Sequence, residues 1–438
     1  MSPLDDFKQF IKDAESRNDQ GVIDPKSQFA KWAHDNPGEL SRWEDFRDSI
    51  LNGGRPNAPN MLTAHGKELI DAGVLYLHWT APVPVSPPPV ITNTLPPVGV
   101  LRMGGNNFAT ATNKDKYGIV GCGIADVDAC AKLPGRPICY ADAVDLPAFF
   151  TSVDRQEAIN KGWTLELEGD KTTYLMDIGN KDYQDAVISE WDAFLAQHFV
   201  RGNGSGFYWD DTIVSLDNYY GIAQWPQKYP TPIDWYTALA AFVVRVGSAL
   251  KAKGWYVGAN AIAFFPQNRG VFPGADSNNG TSMVQWINML APGLSFVMIE
   301  DWLHTNGATR TEYVGSTSTF PSYWGNWRNL HNVCKGLGLD LVPTINTSDG
   351  DDPNIVYTVA TFLLDWKGSG GGVFVFGSND PWRSTWTKTP GNAMGPASSI
   401  GVGWARDFEN VKVRINPHPT QSQVFDTGTL APKTATLI

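Results

Sequence analysis

The sequence predicts a closed (β/α)8 TIM barrel of the α/β class, with a small helical N-terminal module, a proline-rich linker and terminal β-strands. Three observations point there. Short apolar runs alternate with amphipathic stretches from about residue 117 onward. Eight such strand–helix units follow in series, the number that closes a parallel barrel. Most of the runs end on an acid or an amide, at the end where such barrels keep their chemistry.

Residues 1–80 are polar, with short amphipathic patterns at Asp5–Ala14, at Lys26–Ala33 and from Leu62 to about Ala72. They read as a helical attachment or assembly module. APVPVSPPPVITNTLPPVG, residues 81–99, carries seven prolines, which favour an extended polyproline II spacer. A strap laid across the next domain is the alternative. Residues 81–116 are therefore assigned as linker and lead-in, 117–394 as the barrel and 395–438 as terminal strands.

Within 117–394 the expected strands are Tyr117–Gly121, Pro137–Ala141, Thr173–Asp177, Phe207–Trp209, Trp255–Ala259, Ser295–Ile299, Asp340–Thr344 and Val373–Phe376. Helices are expected between them. Asp182–Val200 carries Tyr183, Val187, Trp191, Phe194 and Leu195 at helical spacing. Thr231-Pro232 supplies a cap and a first-turn proline for a helix that Gly254 stops. Asp352-Pro353 opens another. A doubly wound open sheet would want a glycine-rich phosphate turn after the first strand, and Gly121-Cys122-Gly123 lacks the third glycine. Beyond about residue 395 the pattern turns to β, in Ser399–Phe408 and Val411–Asn416.

The strand ends name the candidate site. They carry Asp142, Asp177, Asp210 and Asp211, Asn260, Glu300 and Asp301 with Trp302, Asn346, and Asp380. Acids, amides and tryptophans without clustered histidines suit glycoside hydrolysis, which needs two carboxyl groups flanking the scissile bond. Crowded carboxylates in a partly dry cleft raise at least one pKa and keep an acid protonated near neutrality. Asp210 and Glu300 are the candidate catalytic pair. Asp142, Asp177, Trp209, Asp211, Asn260, Asp301, Trp302, Asn346 and Asp380 are candidate substrate contacts. No metal or other cofactor is expected: Asp349-Gly350-Asp351-Asp352 lacks a full calcium loop and reads as a turn with a helix cap.

Composition narrows the partners. The 438 residues are 42% hydrophobic and 18% charged, with a net charge of −11, a balance that argues for a globular fold and against a nucleic-acid partner. The opening MSPLDDFKQF has no cationic start before an apolar core, so no secretory signal is expected. No apolar run reaches the length of a membrane span, so no membrane insertion is expected. Cys122, Cys130, Cys139 and Cys334 have no zinc or C-x-x-C spacing and read as core thiols, with a disulfide among the first three left open. The 17 Trp, 14 Tyr and 21 Phe supply rings that suit sugar faces as well as a core.

YLMDIGNKDYQDAVISEW (174–191), GFYWDD (206–211) and VMIED (297–301) resemble a group of glycosyl hydrolases with a TIM-barrel fold. WARDFENVKVRINPHP (404–419) resembles the ending of such enzymes, departing at Val411 where a glycine is usual. The resemblance implies Asp210 as nucleophile or principal carboxylate and Glu300 as acid/base. Their placement on strands four and six is similar to that of α-galactosidase-like retaining enzymes. Residues 1–80 with their proline tether resemble the virion-attachment portion of minor tail proteins from phages of actinobacteria. That implies a tail-borne enzyme at the host cell surface, partnered by other virion tail proteins and by a polysaccharide. No heptad coil supports a trimer or fixes a homo-oligomeric state.

Overall fold

The computed structural model of the chain describes residues 95–101, 113–142, 145–146, 155–165, 174–212, 214, 216, 226–261, 281–300, 302–305, 309–310, 324–346, 352–376 and 388–438. The expected N-terminal module lies outside these residues.

Eight strands form one closed, wholly parallel barrel in chain order. They are β1 (Val98–Leu101), β2 (Ile119–Cys122), β3 (Arg136–Asp142), β4 (Gly206–Asp210), β5 (Tyr256–Asn260), β6 (Phe296–Ile299), β7 (Asp340–Asn346) and β8 (Val373–Phe376). The helices are α1 (Val127–Ala131), α2 (Arg155–Asn160), α3 (Lys181–His198), α4 (Pro232–Ala252), α5 (Thr281–Leu290), α6 (Trp324–Gly336) and α7 (Asp352–Asp365). Caps follow the chemistry of the chain. The Asn180 side chain accepts from the amides of Asp182 and Tyr183 to start α3, and Thr231 accepts from Asp234 to start α4 with Pro232 beside it. Helix α4 is apolar and long enough, by length and composition, to cross a membrane. Here Trp235, Leu239, Val243, Val246 and Leu250 are buried in the protein core.

Two of the expected elements are corrected. The barrel opens at Val98, inside the stretch expected to be linker and lead-in, and β1 pairs with both β2 and β8. Pro97 immediately precedes the strand, and its carbonyl accepts from Val373 at 2.9 Å. A proline is tolerated at a strand entrance because only its missing N–H is lost. The expected third strand is not in the barrel. Tyr174–Met176 pairs antiparallel with Asp145–Leu146 and Thr164–Leu165 in a small side sheet within the β3-to-β4 crossover. Strand propensity does not name a partner, so a three-residue apolar run reads the same in either sheet. The two differences offset, and Asp210 still ends the fourth strand and Glu300 still follows the sixth.

Register fixes the barrel interior. Following paired positions once around from Tyr208 returns to the same strand eight residues earlier, the stagger of an eight-stranded barrel. One residue of stagger per strand means that equal heights alternate between odd and even strands. Gly206, Phe296 and Ile119 share a level. Ile138, Gly258, Val342 and Gly99 lie above them, then Tyr208, Met298, Phe374 and Gly121. Ile119, Ile138, Tyr208, Tyr256, Phe296, Met298, Val342 and Phe374 form an apolar cluster of their own inside the barrel. Large residues lean over glycines: the Phe296 ring occupies the space a Gly258 side chain would need, and stacks on Tyr256 at 4.6 Å. The floor is polar. Tyr256 donates to Asp340 at 2.6 Å, Lys367 pairs with Asp340, and Arg136 donates to the Gly371 carbonyl.

The terminal strands form a four-stranded antiparallel sheet, Ser398–Ile400, Gly403–Asp407, Lys412–Asn416 and Thr434–Leu437, with the hairpin Gln423–Phe425 and Gly428–Leu430 beside it. Phe408 donates to the Val411 carbonyl at 2.8 Å, and the Val411 side chain is buried in the core. Arg406 joins this sheet to the barrel. Its guanidinium donates to the carbonyls of Leu363, Leu364 and Trp366 at the end of α7, and to that of Gly395. Those last-turn carbonyls have no partner within the helix. Arg406→Met is expected to destabilise the protein by about 2 kcal/mol, measured by urea unfolding. A change near zero would show that water replaces the guanidinium.

His331 on α6 gives a second stability test. It is buried, it stacks on Phe362 at 5.2 Å, and its Nδ1 has no hydrogen-bond partner among the described residues. Burial above all pulls its pKa down to about 4. The unfolded chain takes up a proton near pH 6.5 that the folded chain refuses, so this contribution is complete above pH 6.5 and drains as the pH falls toward 4. Between pH 7 and pH 5 wild type should lose about 2 kcal/mol relative to His331→Leu in urea unfolding. Parallel pH profiles for the two proteins would contradict it.

Candidate active site

The chain begins the site with a glycine turn. Gly202 and Gly204 take left-handed backbone after α3, and β4 rises from Gly206. Period 2 then decides which side chains face the barrel axis. Tyr208 and Asp210 fall on the interior face. Phe207 and Trp209 fall on the exterior face, where they pack on one another, Phe207 against Trp191 and Trp209 against Phe242.

Glu300 directly follows the last residue of β6, and two strands before it Asp210 ends β4 on the interior face, two residues above Tyr208. Asn260 and Thr344 lie on the level just beneath, and positions 142 and 346 on the level just above. Asp142 pairs with Asp210 across β3 and β4. Asp210 is 8% exposed, Glu300 is half-buried, and Asn260 and Tyr208 are fully buried.

Asp210 is tightly held. Its Oδ1 accepts from the Asn260 amide at 2.7 Å and from the Asp211 backbone amide at 2.9 Å. Asp211 takes a φ of 51°, a left-handed conformation that costs a non-glycine residue energy and turns its N–H back onto the carboxylate. Behind it the Thr212 hydroxyl donates to the Asn260 carbonyl, and the Trp286 indole donates to the Thr212 carbonyl at 2.8 Å. The end of β6 is also strained: Leu303, three residues past Glu300, is buried with a φ of 68°. Tyr208 reports the field inside the mouth. Burial, then the charges of Asp210, Tyr140 and Glu300, push its hydroxyl well above the usual phenol range, so it stays a neutral donor beneath both carboxylates.

Three expected contacts are corrected. Trp209 faces the helices, because it lies one residue from Asp210 on a strand whose successive side chains alternate. Asp177 ends a strand of the side sheet, not of the barrel. It is buried, and Lys228 and Tyr229 hold its two oxygens at 2.5 and 2.7 Å, so its charge is satisfied within the protein. Trp302 is fully buried, with its ring edge-on to Trp327 of α6 at 6.3 Å. Asn260 belongs to the site but touches Asp210 and is sealed from solvent. Asp301 and Asp380 lie outside the described residues, as do the side chains of Asp142 and Asn346. Thr212 and Trp286 are residues the sequence reading missed. A Thr after two acids carries no signal, and Trp286 reaches the site only through space.

Cys122, Cys130, Cys139 and Cys334 are free and buried, with the sulfurs of Cys122 and Cys139 3.5 Å apart. Among the described residues no group of three or more His, Cys, Asp or Glu is placed to hold a metal ion.

No protein-family model matches the chain. No curated protein matches it either. Solved structures similar to it include the glycoside hydrolase domain of PelA from Pseudomonas aeruginosa, at 13% identity and a TM-score of 0.37, covering 64% of this chain and 95% of that one. Ega3 of Aspergillus fumigatus, in complex with galactosamine, aligns at 10% identity and a TM-score of 0.36, covering 70% and 98%. An α-amylase from Lactobacillus plantarum aligns at 10% identity and a TM-score of 0.40, covering 78% and 97%. At such identities and scores these matches say nothing about which reaction this chain carries out.

Proposed function

We propose that the protein is a glycoside hydrolase that cleaves a cell-envelope polysaccharide with Asp210 and Glu300. What supports this reading is that Asp210 ends β4 and Glu300 directly follows β6, both at the carboxyl end of one closed barrel. In the proposed reaction Glu300 protonates the leaving glycosidic oxygen while the Asp210 carboxylate attacks the anomeric carbon. The C–O bond to the leaving group breaks as the bond to Asp210 forms. Glu300 then takes a proton from water, and that water displaces Asp210. The retaining course is favoured by the resemblance to α-galactosidase-like enzymes, and it calls for carboxyl groups about 5–5.5 Å apart, against about 6.5–9.5 Å for inversion.

The resemblance of residues 1–80 and their proline-rich tether to the virion-attachment portion of phage minor tail proteins supports a place on a phage tail. There the enzyme would meet its polysaccharide at the host surface, with other tail proteins as its partners. The test is incubation with a panel of envelope polysaccharides, scored by new reducing ends. Wild type is expected to release sugar while Asp210→Asn and Glu300→Gln do not. Binding by all three proteins with release by none would replace hydrolysis with glycan docking.

A further inference from the structure

We infer that Thr212 and Trp286 are positioning residues for Asp210, acting through Asn260, and that they leave Oδ2 of Asp210 as the oxygen that meets the saccharide. The inference rests on the reading of Asp210 as the attacking carboxylate.

Thr212, Trp286 and Asn260 are all fully buried, so none of them can touch a bound sugar. They nevertheless form one directed chain. The Trp286 indole holds the Thr212 carbonyl, the Thr212 hydroxyl holds the Asn260 carbonyl, and the Asn260 amide holds Asp210. Both donors to Asp210 land on Oδ1, and among the described residues none donates to Oδ2. A carboxylate gripped through one oxygen has a fixed plane, and its other oxygen keeps its lone pairs for the substrate.

The grip depends on the pin behind it. The Oδ1 of Asn260 is buried with no partner among the described residues, so none of these fixes that side of the amide. Its orientation is set by the bond to Asp210 and by the place of its own backbone, which the β5–β6 ladder and the Thr212 hydroxyl hold together. Thr212 in turn follows the left-handed step at Asp211, and Trp286 on α5 fixes the carbonyl there. The helix after β5 thereby sets the aim of a side chain at the end of β4. Positioning by buried partners of this kind is worth about ten- to a hundred-fold in activity elsewhere.

Thr212→Val removes the hydroxyl at constant shape, Thr212→Ser restores it, and Trp286→Phe removes the indole N–H. Crystal structures of the variants read the geometry without any assay. The expected result is that the Asn260 amide leaves Asp210 in Thr212→Val and stays in Thr212→Ser. On a substrate that wild type cleaves, kcat should fall about ten- to a hundred-fold in Thr212→Val and Trp286→Phe, with KM within about two-fold and Thr212→Ser close to wild type. An amide that stays on Asp210 in Thr212→Val overturns the inference, as does an unchanged kcat in both variants. If the amide swings away while Asp210→Asn still cleaves, the positioning stands and the role given to Asp210 falls.

Discussion

Asp210→Asn and Glu300→Gln are each expected to lower turnover by at least about a thousand-fold while the protein keeps its fold. The reason is the division of labour between two similar groups. Asp210 is nearly buried and gripped through one oxygen by two N–H donors, which fix its direction. Glu300 is half-buried just past the end of β6, close enough for its charge to act on Tyr208. In the proposed reaction an amide in place of either removes the group that attacks or the proton that must be delivered. Neither substitution opens a cavity, so melting temperatures should stay near that of wild type. Loss of activity together with loss of the folded state would leave the effect to packing and contradict the assignment.

Gly206→Ala is expected to cost about 4 kcal/mol or more and to remove most folded protein. A methyl group at position 206 would lie 1.8 Å from the Tyr256 carbonyl oxygen and 2.6 Å from its carbon. That oxygen belongs to the next strand of the ladder, where Gly206 pairs with Tyr256. It cannot retreat without opening the β4–β5 pairing that places Asp210 beside Asn260. Gly336, at the last position of α6, is the control, because a methyl group there meets nothing within 4 Å. Gly336→Ala should be neutral or stabilising by up to about 1 kcal/mol. Thermal and urea melts of the two variants decide the matter. A Gly206→Ala protein as stable as wild type would mean that the register around β4 differs from the one described.

Much of this arrangement was legible in the residues. Phe207–Trp209 and Ser295–Ile299 announce themselves because an apolar run breaks on acids, and a parallel barrel strand buried on both faces needs that run. Strand β1 escaped because it follows Pro96 and Pro97 and has only four residues, so its neighbours speak for a spacer. Tyr174–Met176 misled because pairing direction is a property of two segments and a sequence window shows one. The misplacement of Trp209 was avoidable. If Asp210 faces the axis, the residue before it must face the helices. Asp177 could not be excluded in this way, since its partners Lys228 and Tyr229 come from a loop more than fifty positions on. The pin formed by Thr212 and Trp286 was illegible for the same reason.

The double variant Asp210→Asn/Glu300→Gln puts the central claim to the most direct test. If both carboxyl groups act on one saccharide in one mechanism, kcat/KM for reducing-end release should fall no further in the double variant than in the poorer single one. Losses that multiply, or a single variant that releases sugar as wild type does, would mean that the two acids do not form one active site.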